Sequence, residues 1–142
     1  MEGVALQNLK GEILFVCLEN SGVSQMAQSF AEKQGLKCTS VGAFHGSDVN
    51  FSAVEAMKER GIDISTKMPQ TLTPDLVNRA SLIVTIGCSL KSVCPATMLD
   101  GAQKKLIGWD LKNPRARSLV RMRETRDEIE RKVGELLSSP EG

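Results

Sequence analysis

Apolar positions along the chain switch between two spacings, and the switches mark the elements. Ile13-Leu14-Phe15-Val16-Cys17 is an unbroken run without alternation, as expected of a strand covered on both faces, and it predicts a first strand over Glu12–Cys17. Val23, Ala27, Phe30 and Ala31 then follow helical spacing, which predicts a helix from about Ser24 to Gln34, stopped by Gly35 as a left-handed cap. Lys37 to Val41 reads as a second strand. Ser52-Ala53-Val54-Glu55 has capping-box spacing and opens a second helix that ends at Gly61. Thr73, Pro74 and Asp75 supply a cap, a first-turn proline and a dipole-compatible acid, so a short third helix follows. Leu82 to Ile86 is the third strand, Gly87 to Asp100 a long loop or short irregular helix, Lys104 to Ile107 the fourth strand, and Trp109 to Pro114 the loop beyond it. A last helix from about Ala116 to Leu137 brings Leu119, Met122, Ile129, Val133 and Leu136 near one face. On it Asp127–Arg131 and Glu128–Lys132 stand at i,i+4 with the acid first, the favourable order. Residues 1–11 carry little pattern and form a loose lead-in.

Strands alternating with helices predict an α/β fold, a parallel sheet with helices on both faces. Ligands in such sheets bind beyond the strand C-termini. Cys17, Cys88 and the Trp109–Pro114 loop all follow strands, so they are expected at one end of the sheet. A chain of 142 residues has the length of one domain, 1–142, and shows no repeat or internal linker. With 41% hydrophobic and 25% charged residues the composition is that of a soluble globular protein. A net charge of +1 gives no case for nucleic acid or an acidic membrane surface as partner. No apolar run approaches the roughly 20 residues that span a bilayer. The first residues lack a basic leader and a long apolar core, so a cytoplasmic location is expected.

In that compartment the four cysteines point to a catalytic or metal set rather than to a structural disulfide framework. Cys88 and Cys94 are separated by five residues and His45 is the single histidine, a poor zinc set, so neither a metal nor a cofactor is expected. His45 reads as a solvated loop residue and Cys38 as a structural thiol. Arg115, Arg117, Arg121, Arg123 and Arg126 could form an anion patch, but acids interspersed among the later ones make those read as a solvated helix face. The stretch from Cys17 to Ala27 carries more chemistry. A strand, a small polar loop and a helix N-terminus aim loop N–H groups and a helix dipole at one spot, which makes an anion site. A cysteine placed there presents its thiolate as that anion. Asn20 and Gly22 tolerate left-handed backbone, while Ser21 and Ser24 offer hydroxyls.

On these residues the chain resembles the low-molecular-weight tyrosine phosphatases and the thioredoxin-coupled arsenate reductases built on the same fold. Their loop reads Cys, five residues, Arg, Ser, and the reductases continue Gln-Met-Ala, as Ser24-Gln25-Met26-Ala27 does here. The likeness extends through Val54 to Ser65, Ile83-Val84-Thr85, Cys88, Cys94-Pro95, Trp109-Asp110-Leu111 and Arg123 to Ile129, nearly the whole chain, and the reductase branch fits better. It implies the strand order 2-1-3-4 in a three-layer fold. It also implies a relay in which Cys17 attacks arsenate, Cys88 attacks Cys17 and releases arsenite, and Cys94 then forms a Cys88–Cys94 disulfide for thioredoxin or a similar dithiol. Asn20, Ser21, Gly22, Val23 and Ser24 would surround the oxyanion, arsenate or phosphate.

Two positions depart from that pattern. Val23 stands where the family has the arginine that grips the oxyanion, and Asn113 where it has the aspartate that protonates the leaving oxygen; valine donates no hydrogen bond and an amide gives up no proton near neutral pH. Val23 also reads as an extension of the first helix's apolar face, and Asp110 as either a substitute acid or a turn-closing residue. The chain has no tyrosine, so the aromatic pair of the tyrosine phosphatases is missing. Two functions remain open. One is a weak arsenate-reductase-like enzyme serving arsenic detoxification, with Arg115 or Arg117 recruited as the cation. The other is a non-catalytic anion-binding or thiol-redox module.

Overall fold

The computed structural model of the chain describes residues 12–17, 22–42, 50–67, 70–87, 106–111 and 118–138. Its centre is β1 (Glu12–Cys17), whose apolar run is buried on both faces as expected. Ile13 and Phe15 point into one core and Leu14 and Val16 into another. Both edges of β1 are paired, with β2 (Cys38–Gly42) on one side and β3 (Ala80–Ile86) on the other, and β4 (Leu106–Trp109) follows β3. All pairings are parallel and the order is β2-β1-β3-β4, the order that the resemblance implies.

Helices α1 (Val23–Lys33), α2 (Phe51–Lys58) and α4 (Leu119–Ser138) supply the larger core on one face, through Met26, Phe30, Met57 and Ile129 among others. The short α3 (Pro74–Arg79) closes the other face with Val77 against Leu14 and Val16. The helix ends follow their capping chemistry. Gly35, at φ 85°, stops α1, and the Leu36 amide returns to Ala31 O at 3.1 Å so that Leu36 enters the core. Thr73 Oγ1 accepts from the Leu76 amide at 3.2 Å, the cap expected for α3.

Several boundaries differ from the sequence reading, each for a tertiary reason. The cap of α2 is Asn50, whose Oδ1 accepts from the Ala53 amide at 3.2 Å, so Ser52 lies inside the helix. Strand β3 starts at Ala80, because Ala80 pairs with Glu12 and follows α3 without a loop. Strand β4 runs to Trp109 rather than ending at Ile107, since Ile86 pairs with Trp109 and the indole is drawn over Phe15, ring centroids 6.0 Å apart. On α4, Asp127 pairs with Arg60 and Arg126 rather than with Arg131, which turns to Glu135. Arg126 is not on the solvated face but 5% exposed.

The contact between α2 and α4 is held by charge as well as by packing. Arg123 grips the Glu59 carboxylate through Nε and Nη2 at 2.9 and 2.7 Å, and Arg126 Nη1 adds a bond of 2.6 Å. The hydrogen bond from Arg123, then that from Arg126, holds the Glu59 carboxyl at about 2 against an ordinary 4.5. The folded protein therefore keeps Glu59 ionised where the unfolded chain would protonate it, so this pairing stabilises fully above about 4.5 and is lost as pH falls through about 2. Glu59→Gln should lower stability near neutral pH and narrow its difference from wild type across that acid window. Denaturant titrations of both proteins along the window check this, and a difference that stays constant with pH would refute it.

Candidate active site

The parallel strands release their chain at one edge, and the candidate site lies there. Cys17, last in β1, pairs with Gly42, last in β2, while Ile86 and Trp109 end β3 and β4 side by side. Gly87, at φ 70°, donates its amide to Trp109 O at 3.0 Å, which ties the ends of β3 and β4 together. Asp110 follows Trp109 at this edge with its side chain exposed. Asn20, Ser21, Cys88, Cys94 and Asn113 lie outside the described residues, as do His45, Arg115 and Arg117.

The Cys17 thiol is buried and sits 2.9 Å from Ser24 Oγ, either atom serving as donor. Ser24 is the second residue of α1, so the sulfur stands at the positive end of that helix. The contact brings together a thiol and a hydroxyl that the sequence reading places around the site, Cys17 and Ser24. With sulfur as thiolate, the hydroxyl becomes a charge-assisted donor, the stronger form of the contact.

Gly22 occupies the N-cap position of α1, and its carbonyl accepts from the Met26 amide at 2.9 Å. A Cβ on Gly22 would lie 3.7 Å from Ala53 Cβ and 3.8 Å from Asn50 Cβ, ordinary van der Waals separations, so Gly22 faces the start of α2 with room for a methyl between them. Val23 is partly buried and packs against the larger core, the apolar-face role read from its spacing.

Cys38 is chemically different. Burial, then the nearby Glu32 and Glu12 carboxylates, push its thiol up to about 12, and Sγ donates to Gln28 O at 3.4 Å. It is a neutral structural thiol. Among the described residues no group of three or more His, Cys, Asp or Glu side chains could hold a metal ion.

Two contacts of α2, the helix that Gly22 faces, escape the sequence reading: the Asn50 cap and the buried Arg126. Asn50 carries a signal that could have found it, since Asn three residues before a buried Ala is a preferred cap. Arg126 falls on the stripe of Met122, Ile129 and Val133, a spacing that foretells burial whatever the residue's charge.

Comparison with known proteins agrees with this geometry. A family model described as low molecular weight phosphotyrosine protein phosphatase matches residues 12–141. An arsenate reductase of Brevibacillus brevis is 35% identical over 122 residues, covering 84% of this chain and 89% of the relative. A solved arsenate reductase in the phosphate binding state superposes with TM-score 0.75 at 28% identity, covering 92% of this chain and 98% of that one. A thioredoxin-dependent arsenate reductase of Corynebacterium glutamicum superposes with TM-score 0.71 at 28% identity, over 89% of this chain and 59% of its own.

The contrast between the two thiols is testable. Iodoacetamide near neutral pH should label Cys17 and leave Cys38 unmodified in the folded protein. Ser24→Ala removes a hydrogen bond to a charged group, which is worth about 1.5–3 kcal/mol, and should slow Cys17 labelling by about tenfold or more. Peptide mass spectrometry reads both sites, and labelling of Cys38 ahead of Cys17 would contradict the assignment.

Proposed function

The chain belongs to the low molecular weight phosphotyrosine protein phosphatase family, and within it we propose an arsenate-reductase-like thiol chemistry of low turnover. The observation that carries the reading is the Cys17–Ser24 contact of 2.9 Å at the end of a central parallel strand and the start of a helix. Its likeness to arsenate reductases over most of both chains supports the reductase branch.

In this reading the Cys17 thiolate attacks the arsenic of arsenate. An S–As bond forms and an As–O bond breaks, its oxygen leaving as water once protonated. The Cys88 thiolate then attacks Cys17 Sγ, the S–S bond forms, and the S–As electron pair stays on arsenic, reducing As(V) to As(III) as arsenite departs. Cys94 attacks Cys88, frees Cys17 and leaves a Cys88–Cys94 disulfide, which a dithiol such as thioredoxin reduces. The relay suits a reducing compartment such as the cytoplasm and requires neither metal nor cofactor.

The site residues explain why turnover is low. Asn20, Ser21, Gly22 and Ser24 are proposed to cradle the oxyanion, with Val23 contributing no donor. A charge-assisted contact is worth about 1.5–3 kcal/mol, and a bidentate arginine makes two of them. Asn113 supplies no proton, and general acid catalysis is typically worth about 10²–10⁴-fold. Asp110 is the acid nearest in sequence.

A second reading, a thiol-redox or anion-binding module without oxyanion turnover, is favoured by the packing of Val23 into the core edge. Disulfide exchange needs a thiolate and short reach, and neither missing group.

Thioredoxin-coupled arsenate turnover separates the two. Wild type should turn over slowly and Cys17→Ser not at all. Val23→Arg should tighten oxyanion binding by about 2–4 kcal/mol, allowing for the cost of placing the stem. Asn113→Asp should raise turnover more than binding, because proton donation acts in the transition state. Calorimetry and turnover on all four combinations decide the matter. If every folded variant stays silent, the redox-module reading stands instead.

A further inference from the structure

One guanidinium in the larger core has no part in the thiol chemistry as described so far. Arg126 Nη1 donates to Ala56 O at 2.9 Å and to Glu59 Oε1 at 2.6 Å, and Nε donates to Asp127 Oδ1 at 2.8 Å. Ala56 O is the carbonyl that a continuing helix would offer to the Arg60 amide, but that amide turns to Met57 O at 2.9 Å. Arg126 fills the place of the lost donor and caps α2 from another helix. One turn earlier on α2 lies Ala53, which like Ala56 is fully buried, and it is Ala53 and Asn50 that Gly22 faces.

We propose that Arg126 is a positioning residue for the Cys17 site. It fixes the axial and rotational setting of α2, whose first turn holds Gly22 and with it the register of Ser24 on the thiol. The inference rests on Cys17 as the reactive thiol of the proposed function, but not on arsenate as its substrate. Energetics favour placement over stability as what the guanidinium adds. A buried ion pair is often no better for stability than apolar side chains of similar volume, because desolvation consumes the Coulombic gain. Two directional bonds, to Ala56 O and Glu59 Oε1, nonetheless fix the end of α2 where an apolar side chain would let it slide, while the bond to Asp127 on its own helix orients the guanidinium. Arg123 is the natural contrast, since it grips the same Glu59 from the exposed side.

The test compares wild type, Arg126→Met, Arg126→Lys and Arg123→Met by two readouts. One is Cys17 alkylation by iodoacetamide, with and without inorganic phosphate as protectant. The other is amide hydrogen exchange at residues 22–24 against the C-terminal turn of α1. Arg126→Met should slow alkylation about tenfold, abolish phosphate protection and speed exchange at 22–24 selectively, because small misplacements of a reacting group carry large rate effects. Arg126→Lys, with one ammonium for three bonds, should fall between, and Arg123→Met should match wild type. A folded Arg126→Met with wild-type alkylation and exchange overturns the proposal. So does an Arg126→Met that fails to fold beside an Arg126→Lys that behaves as wild type, which would assign the residue to folding alone. If Cys17 resists alkylation in every protein, the reading of Cys17 as the reactive thiol fails, and exchange at 22–24 still decides the role of Arg126.

Discussion

A strand covered on both faces and paired along both edges has no water to satisfy its backbone, so every N–H and C=O must find a neighbouring strand. For β1 this condition sets the rest of the fold. A one-residue slip against β2 or β3 would send Phe15 and Ile13 to the face now holding Leu14 and Val16, and both cores would be wrong at once. With register fixed, the last paired residue is fixed too, and it is Cys17 against Gly42. Beyond it the chain must leave the sheet and return as α1. The Cys17 sulfur thus stands at the C-terminal end of an inner strand and at a helix start for the same reason that the core is well formed.

That reasoning was available from the chain itself, because Ile13 to Cys17 is an apolar run without alternation and Gly35 marks the end of α1. Legibility failed where distant residues decided the outcome. Gly108 and Trp109 carry no strand pattern of their own, and only the pairing with Thr85 and Ile86 and the stacking on Phe15 make them one. Arg126 was read by its charge, although its place on the stripe of Met122 and Ile129 sets its burial. Its partners, Ala56 O and Glu59, lie on another helix that no local pattern connects to it. At the site, the Cys17–Ser24 pairing was legible because both residues flank one short loop. The readings of Asn20, Ser21, Cys88, Cys94 and Asn113 rest on the sequence resemblance, since they fall outside the described residues.

The two thiols show how one residue type takes opposite roles by position. Cys17 ends its strand, next to a hydroxyl and a helix N-terminus. Cys38 begins its strand, at the far end of the sheet from Cys17, buried beside Glu32 and Glu12. At Cys38 low dielectric and the Glu32 and Glu12 carboxylates oppose a thiolate. The polarity of a parallel sheet separates the two environments. Strand C-termini meet helix N-termini, and a cysteine's place along its strand decides which field it feels.

Gripping an oxyanion and exchanging a disulfide make different demands on the same loop. A doubly charged oxyanion needs several donors converging on its oxygens, and the loss of one bidentate fork removes a large share of its binding. A disulfide carries no charge to grip, so exchange depends on thiolate fraction and on reach between sulfurs. Val23 touches only the first demand, and its packing gives the start of α1 an apolar anchor on the core where an arginine would need its charge satisfied. Ser24 serves both, because it stabilises the sulfur whichever electrophile arrives. The start of α1 is anchored on the core through Val23, and Gly22 beside it faces the first turn of α2. Arg126, bonded to the end of the helix whose first turn faces Gly22, links this loop to the core by a route that runs through α2.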